Sequence, residues 1–269
     1  MPVSISSNPS AGFAALHLEK AQKNLMSSLA KLSSGKRIVN PYDDAGGEAV
    51  QLKLKAAITR YDTTKKNIEN AVSYLQVQDG ILQTATSIVS RMADLRTMAD
   101  DASKSADDIA NYNEEFVVLK TQLANLDSEE FNGNAVFSVA RTVYTSEQGS
   151  AGVSISFNVA SQGNTGLASS ANAGANLTAV ATSAFTNDLQ RLASARAQNG
   201  AFQSVLNYAY DNAAIGKTNL EAARGRIFDL DIASESTNFA KHNILANAAA
   251  SMLSQANASQ NSVLSLLMG

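Results

Sequence analysis

The chain has 269 residues, and its 21 basic and 24 acidic side chains give a formal charge of −3, which offers no electrostatic case for nucleic-acid binding. Its 45% apolar content rests on alanine, because aromatic residues make up only 6% and Trp is absent, so we expect closely packed helices in a thin rod. The absence of Cys excludes disulfides and thiolate metal sites, and no run approaches the ~20 apolar residues that membrane insertion needs.

The first predicted element is a helix over 10–33, followed by a connector that ends near residue 40. Apolar side chains recur in it at spacings of three and four, as in a coiled-coil seam. The seam residues are Leu18, Ala21, Leu25, Leu29 and Leu32. Ala14, Ala15 and Met26 lie off this seam. A helix that is apolar over more than one stripe is buried by more than one neighbour.

The connector between this helix and the next carries turn and capping signals. Gly35 predicts the end of the first helix, and Asn40-Pro41 predicts a turn. Asp43 and Asp44 place carboxylates at the start of the following helix, where the helix dipole favours negative charge.

The next predicted helix is very long. It runs from about Ala45 to Met98, because all three prolines fall within the first 41 residues, and at 1.5 Å per residue it is roughly 80 Å long. A shorter helix from Asp107 to Leu126 follows. We assign residues 41–137 to the N-terminal half of a rod domain.

Residues 138–177 differ in composition, since Gly, Ser, Asn and Thr dominate. Val153, Ile155, Phe157 and Val159 alternate with polar residues, which predicts a strand that pairs with 136–144 as a hairpin. The segment is too short to bury a core of its own. It is therefore predicted to be a small β and loop insert.

Helical periodicity resumes near Thr178 and predicts the C-terminal helix of the rod domain over 178–216, ending near Gly216. Residues 217–269 are predicted to form a connector, from Leu220 to Ser236, and a C-terminal core helix. Asp229 and Asp231 are candidate helix caps. Two aspartates at this spacing could also ligate a cation, but the segment lacks the Gly and the terminal Glu of a calcium-binding loop, so capping is favoured.

The last helix contains no charged side chain between residues 243 and 268. Its seam, with steps of four, three, four, seven and four, consists of Leu245, Ala249, Met252, Ala256, Val263 and Leu267. Ile244, Ala248 and Leu253 lie off the seam. The predicted fold class is mainly α: an elongated antiparallel helical bundle with terminal coiled-coil helices and a small central β-hairpin insert. Because one hairpin of helices buries only one face of each, further copies of the chain are the expected partners.

Four ordered segments resemble the bacterial flagellin family. Residues 32–47 read LSSGKRIVNPYDDAGG and are similar to the family pattern LSSGxRI-N-xxxDDAAG, although Pro41-Tyr42 replace Ser-Ala. Residues 131–133 match FNG, residues 219–233 resemble NLxAAxSRIxDxDxA, and residues 244–267 resemble the family's C-terminal IL…SVLSLL pattern. The motif residues are Ser33, Ser34, Gly35, Arg37, Ile38, Asn40, Asp43, Asp44, Phe131, Asn132, Gly133, Arg226, Ile227, Asp229 and Asp231.

The resemblance implies a structural subunit that polymerises into the bacterial flagellar filament used for swimming. It implies type III export of the unfolded chain to the cell exterior, with the termini folding on assembly; the first 20 residues show no Sec signal peptide. The implied partners are the chain itself, an export chaperone, and the filament cap and junction proteins. The implied polymerisation core comprises Leu18, Leu25, Leu29, Leu32, Leu245, Ala249, Met252, Ala256, Val263 and Leu267.

Two alternative functions stay open at this point. One is a hook–filament junction protein of the same superfamily, and the other is an adhesin or enzyme domain displayed on a flagellin scaffold. An insert without His, Cys or an acidic cluster leaves no room for a catalytic constellation, so no enzyme activity is expected.

Two further sets of residues are candidate sites. The resemblance makes the flagellin-sensing Toll-like receptor a possible partner through Arg91, Asp94 and Leu95, but Ala93 stands where the family has an arginine, which leaves recognition open. His17 and His242 are the only histidines and lie in opposite terminal segments. We expect no metal or other cofactor unless the fold pairs them.

Overall fold

The computed structural model describes residues 8–137, 140–155, 167 and 176–268, with side chains described as far as residue 259. Five α-helices account for most of this part, which confirms the mainly α class: α1 Pro9–Ser34, α2 Ala45–Ala99, α3 Ala106–Asp127, α4 Thr182–Phe228 and α5 Ile232–Met268. Four short strands accompany them: β1 Glu130–Phe131, β2 Asn134–Ala135, β3 Arg141–Tyr144 and β4 Gly152–Ile155. A 3₁₀ turn spans Leu177–Ala179. Within the described residues, no helix combines the length and apolarity needed to cross a membrane.

The chain divides into two compact units. Unit 1 comprises Met1–Ala56 and Asn219–Gly269, and unit 2 comprises Ala57–Thr218. Helices α2 and α4 contribute residues to both.

Unit 1 is built on an antiparallel pair formed by α1 and α5. At one end, Asn8 caps α1 by accepting the Ala11 N–H at 3.0 Å, and its side-chain amide donates to the carbonyl of Ala256 at 3.1 Å. At the other end, α1 stops at Gly35, whose φ of +68° is the left-handed conformation that glycine adopts without steric cost. The Gly35 carbonyl accepts the Leu230 N–H at 3.2 Å, so the pair is tied at both ends.

Unit 2 packs α2, α3 and α4 around an apolar core. Asp79 of α2 pairs with Arg196 of α4 at 3.0 Å, and Asp62 pairs with Lys217 at 2.8 Å, so α4 runs antiparallel to α2. The larger core cluster includes Leu82, Val89, Met92, Leu95, Phe116, Leu123, Leu177, Phe185 and Leu192. α3 begins with a capping box, in which Ser105 and Asp108 satisfy each other's backbone N–H groups.

A buried chain of amide groups runs through the same unit. The Asn199 side chain donates to the Leu75 carbonyl at 2.9 Å, and Gln78 donates to the Val136 carbonyl at 3.0 Å. The Tyr74 hydroxyl donates to the same Val136 carbonyl at 2.7 Å. Because buried polar groups are costly unless bonded, these partners favour one register of α4 and the β1–β2 hairpin on α2.

The strands form two hairpins. The β1–β2 turn has Asn132 at φ 53° and Gly133 at φ 72°, the two positive values of a type I′ turn, which explains the Asn-Gly sequence. In the insert, β3 pairs with β4 from Arg141↔Ile155 to Tyr144↔Gly152. This confirms the predicted hairpin, although its first strand begins at Arg141 rather than at residue 136. Phe157 and Val159 lie outside the described residues.

One predicted boundary is wrong. We expected a helix to end near Gly216 and a connector to follow from Leu220 to Ser236, whereas α4 continues to Phe228 and α5 starts at Ile232. Gly216 is a packing position, since a Cβ there would lie 3.0 Å from the Tyr61 ring. The true break is capped by Asp231, which accepts the Ala233 N–H at 3.0 Å.

Candidate functional site

The seam between α1 and α5 alternates steps of three and four residues. Its buried or partly buried positions on α1 are Ala11, Ala14, Leu18, Ala21, Leu25, Ser28 and Leu32. Those on α5 are Phe239, His242, Ala246, Ala249, Leu253 and Ala256. Small side chains make up four of the seven α1 positions and three of the six α5 positions, which allows the two backbones to approach closely.

Three residues predicted for the seams lie outside them. Leu29 is exposed while Ser28 takes the buried position, and on α5 Leu245 and Met252 are exposed while Leu253 is partly buried. On α1 the predicted positions contain two successive steps of four, and a regular heptad requires residue 28 in place of 29. On α5 the predicted and the observed positions both keep the three-and-four spacing, so the spacing alone does not distinguish them. The side chains of Val263 and Leu267 lie outside the described residues.

The exposed residues give unit 1 an apolar outer surface, which we call the outer apolar face. Its members are Phe13, Leu16, Met26 and Leu29 of α1, and Ile232, Ile244, Leu245 and Met252 of α5. Phe13 is 67% exposed and Ile244 is 68% exposed. So many exposed large apolar side chains on one pair of helices indicate an interaction surface.

A groove of 490 Å³ lies between α1 and α5 beside this face. Apolar side chains, among them Leu245 and Met252, line it together with Lys20 and Lys241. The fold also brings His17 and His242 to this groove. Among the described residues, no three His, Cys, Asp or Glu side chains cluster in a way that could hold a metal ion.

Arg37 joins the motif residues of the two chain ends. Its backbone N–H donates to the Phe228 carbonyl at 2.8 Å, and its Nε donates to the Ile227 carbonyl at 2.8 Å. Its Nη2 donates to Asp44 Oδ2 at 3.0 Å. Next to it, Lys36 pairs as an isolated β-bridge with Asp229, and its ammonium lies 5.3 Å from the centre of the Phe228 ring.

Asp44 fixes the start of α2 beneath this junction. Its Oδ1 accepts the Gly47 N–H at 2.8 Å, while Ile38 is buried beside it. A Cβ at Gly47 would fall 2.5 Å from Asp44 Oδ2, so a larger residue there would displace the Asp44 side chain. The Gly47 N–H and then the Arg37 guanidinium lower the pKa of Asp44 below its usual 3.8. Asp43 accepts the N–H groups of Val39 and Asn40 at 3.2 and 3.0 Å.

We expect this junction to contribute pH-dependent stability. Because the folded pKa of Asp44 is lowered, its contribution is present above pH 3.8 and is lost as the pH falls through the lower folded value. An Asp44→Asn variant should therefore be less stable than the parent chain near neutral pH, and the difference should narrow in acid. Urea unfolding of both proteins at a series of pH values measures this difference in the free energy of unfolding. A difference that stayed constant with pH would contradict a stabilising role for the ionised Asp44 carboxylate.

The remaining motif residues lie either around the Arg37 junction or in unit 2. Ser33, Ser34, Arg226 and Asp231 are exposed around the junction. The motif residue Phe131 contacts the Tyr74 ring edge-on at 5.8 Å in unit 2.

The three proposed receptor-contact residues differ in solvent exposure and in their contacts within the chain. Arg91 forms a double ion pair with Glu115, with N–O distances of 2.7 and 3.0 Å, and Asp94 is exposed. Leu95 is fully buried in the core of unit 2. As a correction to that prediction, the folded chain does not offer the Leu95 side chain to an outside partner.

Phe13 and Leu16 were missed as candidate site residues. They are three residues apart, and Met26 and Leu29 repeat that spacing; the prediction of apolar residues off the α1 seam included Met26 but did not extend to these two.

Two family models match the chain in succession. The model described as the bacterial flagellin N-terminal helical region matches residues 5–142. The model described as the bacterial flagellin C-terminal helical region matches residues 182–267. Together they cover both elements of the α1–α5 pair.

Similar proteins match nearly the whole chain. A flagellin of Halalkalibacterium halodurans is 31% identical over 94% of this chain and 93% of its own length. The flagellar filament 33 kDa core protein of Treponema phagedenis is 28% identical over 98% and 99%. A flagellin of Bacillus subtilis is 29% identical over 92% of each. A crystal structure of Bacillus cereus flagellin matches 58% of this chain and 88% of that one, at 19% identity and a TM-score of 0.40.

Proposed function

The chain belongs to the bacterial flagellin family, and on that premise we propose how it enters a filament. Membership makes it a structural subunit that polymerises into the extracellular flagellar filament, whose general role is motility. The proposal concerns the surface that drives polymerisation and the state of the chain beforehand.

The outer apolar face is the contact surface between subunits. The observation that carries this is the exposure of large apolar side chains on α1 and α5, such as Leu16 and Ile244, after the α1–α5 seam has formed. Burying apolar surface contributes roughly 25 cal/mol per Å². A contact of about 2,000 Å² therefore outweighs the cost of ordering the helices. The seam residues Leu18, Leu25, Leu32, Ala249 and Ala256 hold the pair itself together.

The chain is exported unfolded through the flagellar type III channel, and its terminal helices become ordered only at the growing tip. Helices that expose apolar surface are marginal in water until a partner covers them, which supports this order of events. An export chaperone would cover the terminal segments before assembly, and cap and junction proteins would adjoin the filament. Receptor contact in an animal host would use Arg91 and Asp94.

Seeded assembly followed by electron microscopy tests the proposal. The purified chain should add to filament seeds and form tubes of uniform diameter. An Ile244→Asp variant should fail to elongate, because a charge would be buried between subunits. Ile244→Leu is the matched control and should elongate like the parent chain. Elongation of the Asp variant at the parental rate would exclude the outer apolar face as the contact surface.

A further inference from the structure

We propose that Met26 and Met252 are oxidation sites through which a peroxide controls entry of the subunit into the filament. Conversion of either thioether to a sulfoxide in the free subunit would prevent its addition to the growing end. The inference rests on the proposed role of the outer apolar face, to which both residues belong.

Both sulfur-bearing side chains are freely accessible in the isolated chain. Met26 is 72% exposed and Met252 is 71% exposed, whereas Met92 is fully buried in the core of unit 2. Met98 is 41% exposed, but it belongs to unit 2 and is not a member of the outer apolar face. Among the four methionines whose side chains the structure describes, the two most exposed are therefore the two on the outer apolar face.

Each of the two residues lines a surface groove of unit 1 that a sister subunit would cover; the groove at Met252 is mainly apolar, whereas polar side chains such as Gln22 and Lys23 also line the one at Met26. Met252 lines the groove between α1 and α5 with Leu245 and Ala249. Met26 lines a second groove of 570 Å³ in unit 1, together with Val39 and Tyr42. Methionine is well suited to such contacts because its flexible, polarisable side chain fills irregular apolar gaps.

Oxidation of the thioether makes the methionine side chain polar without cleaving the polypeptide. A sulfur lone pair attacks one oxygen of hydrogen peroxide, the O–O bond breaks and an S–O bond forms. The hydroxide that leaves takes up the proton of the transferred hydroxyl group, so the products are the sulfoxide and water. The sulfur loses two electrons and the peroxide gains them. The product is a polar, chiral sulfoxide, and methionine sulfoxide reductases return it to the thioether.

The consequence depends on whether the subunit is free or assembled. In the free chain the sulfoxide oxygen is solvated, whether the terminal helices are paired or not yet ordered. On assembly the same oxygen would be removed from water at the subunit contact, which is unfavourable because burying a polar group costs free energy. In an existing filament the sulfurs would be covered and protected from peroxide. Oxidation would therefore act on subunits before assembly and spare those already in place.

The test treats the full-length chain with hydrogen peroxide and maps each methionine by peptide mass spectrometry. Met26 and Met252 should be oxidised well before Met92. The critical concentration for seeded growth should rise at least about tenfold, as expected for one unpaired polar group in an apolar contact. Treatment with the reductases should restore growth. In preformed filaments both sulfurs should oxidise much more slowly than in free subunits.

A variant carrying Met26→Leu and Met252→Leu provides the matched comparison, with Met98→Leu as the control outside the outer apolar face. The double variant should grow equally well with and without peroxide, and Met98→Leu should remain sensitive. Growth of oxidised parent chain at the untreated rate would overturn the inference, as would equal oxidation rates in subunits and filaments. Equal peroxide sensitivity of the double variant would also overturn it. Failure of untreated parent chain to grow would instead contradict the proposed assembly function.

Discussion

A chain that lacks residues 232–269 should stay monomeric at every concentration and seed load at which the full chain forms filaments. The deletion removes α5, and with it half of the α1–α5 seam and the Ile244, Leu245 and Met252 contribution to the outer apolar face. α1 alone spans 26 residues. Without its partner it is a marginal helix in water. Sedimentation and electron microscopy measure the result, which should be a complete loss of polymer rather than a slower rate.

The deletion is informative only if the rest of the chain stays folded. Unit 2 has its own core around Leu82, Phe116 and Phe185, so we expect its helical circular dichroism and its cooperative melting to persist in the shortened chain. A second deletion, of residues 9–34, removes the other half of the pair and should give the same outcome. Long fibres from either shortened chain would show that the terminal helices are not what holds subunits together.

The helices were predictable from the sequence because their signals are local. The three-and-four spacing in α1, the glycine at its end and the absence of proline after Pro41 together predict long helices with nearly correct bounds. The β3–β4 hairpin followed from simple alternation. Gly216 misled the prediction, because a glycine that lets Tyr61 approach cannot be told from a helix stop without the packing partner.

The site was only partly predictable, because its details depend on contacts between distant residues. The Arg37–Ile227 hydrogen bond joins residues 190 positions apart, and nothing near Arg37 in the sequence indicates its partner. The choice between Ser28 and Leu29 for the α1 seam depends on the rotation of the helix against α5. The number of apolar residues predicts that each terminal helix is apolar on more than one face. It does not predict which residue of each turn faces the other helix.

Replacement of Phe116 by Ala should lower the free energy of unfolding by about 3–5 kcal/mol, the cost typical of removing a fully buried aromatic ring. Phe116 is completely buried on α3, and its ring contacts that of Phe185 on α4 edge-on at 6.3 Å. Val118→Ala, on the same helix at an exposed position, is the matched control and should change stability by no more than about 0.5 kcal/mol. Urea unfolding of both variants measures the difference.

The Phe116→Ala variant should also separate the stability of unit 2 from assembly. Phe116 is not part of the outer apolar face, so below the melting temperature of unit 2 the variant should still add to filament seeds. A loss of about 3–5 kcal/mol corresponds to a fall in melting temperature of roughly 6–20 °C for a domain of this size, and the resulting filaments should dissociate earlier on heating than parental ones. Loss of seeded growth while unit 2 remains folded would show that the α3–α4 packing takes part in assembly directly. In that case the terminal helices alone would not account for polymerisation.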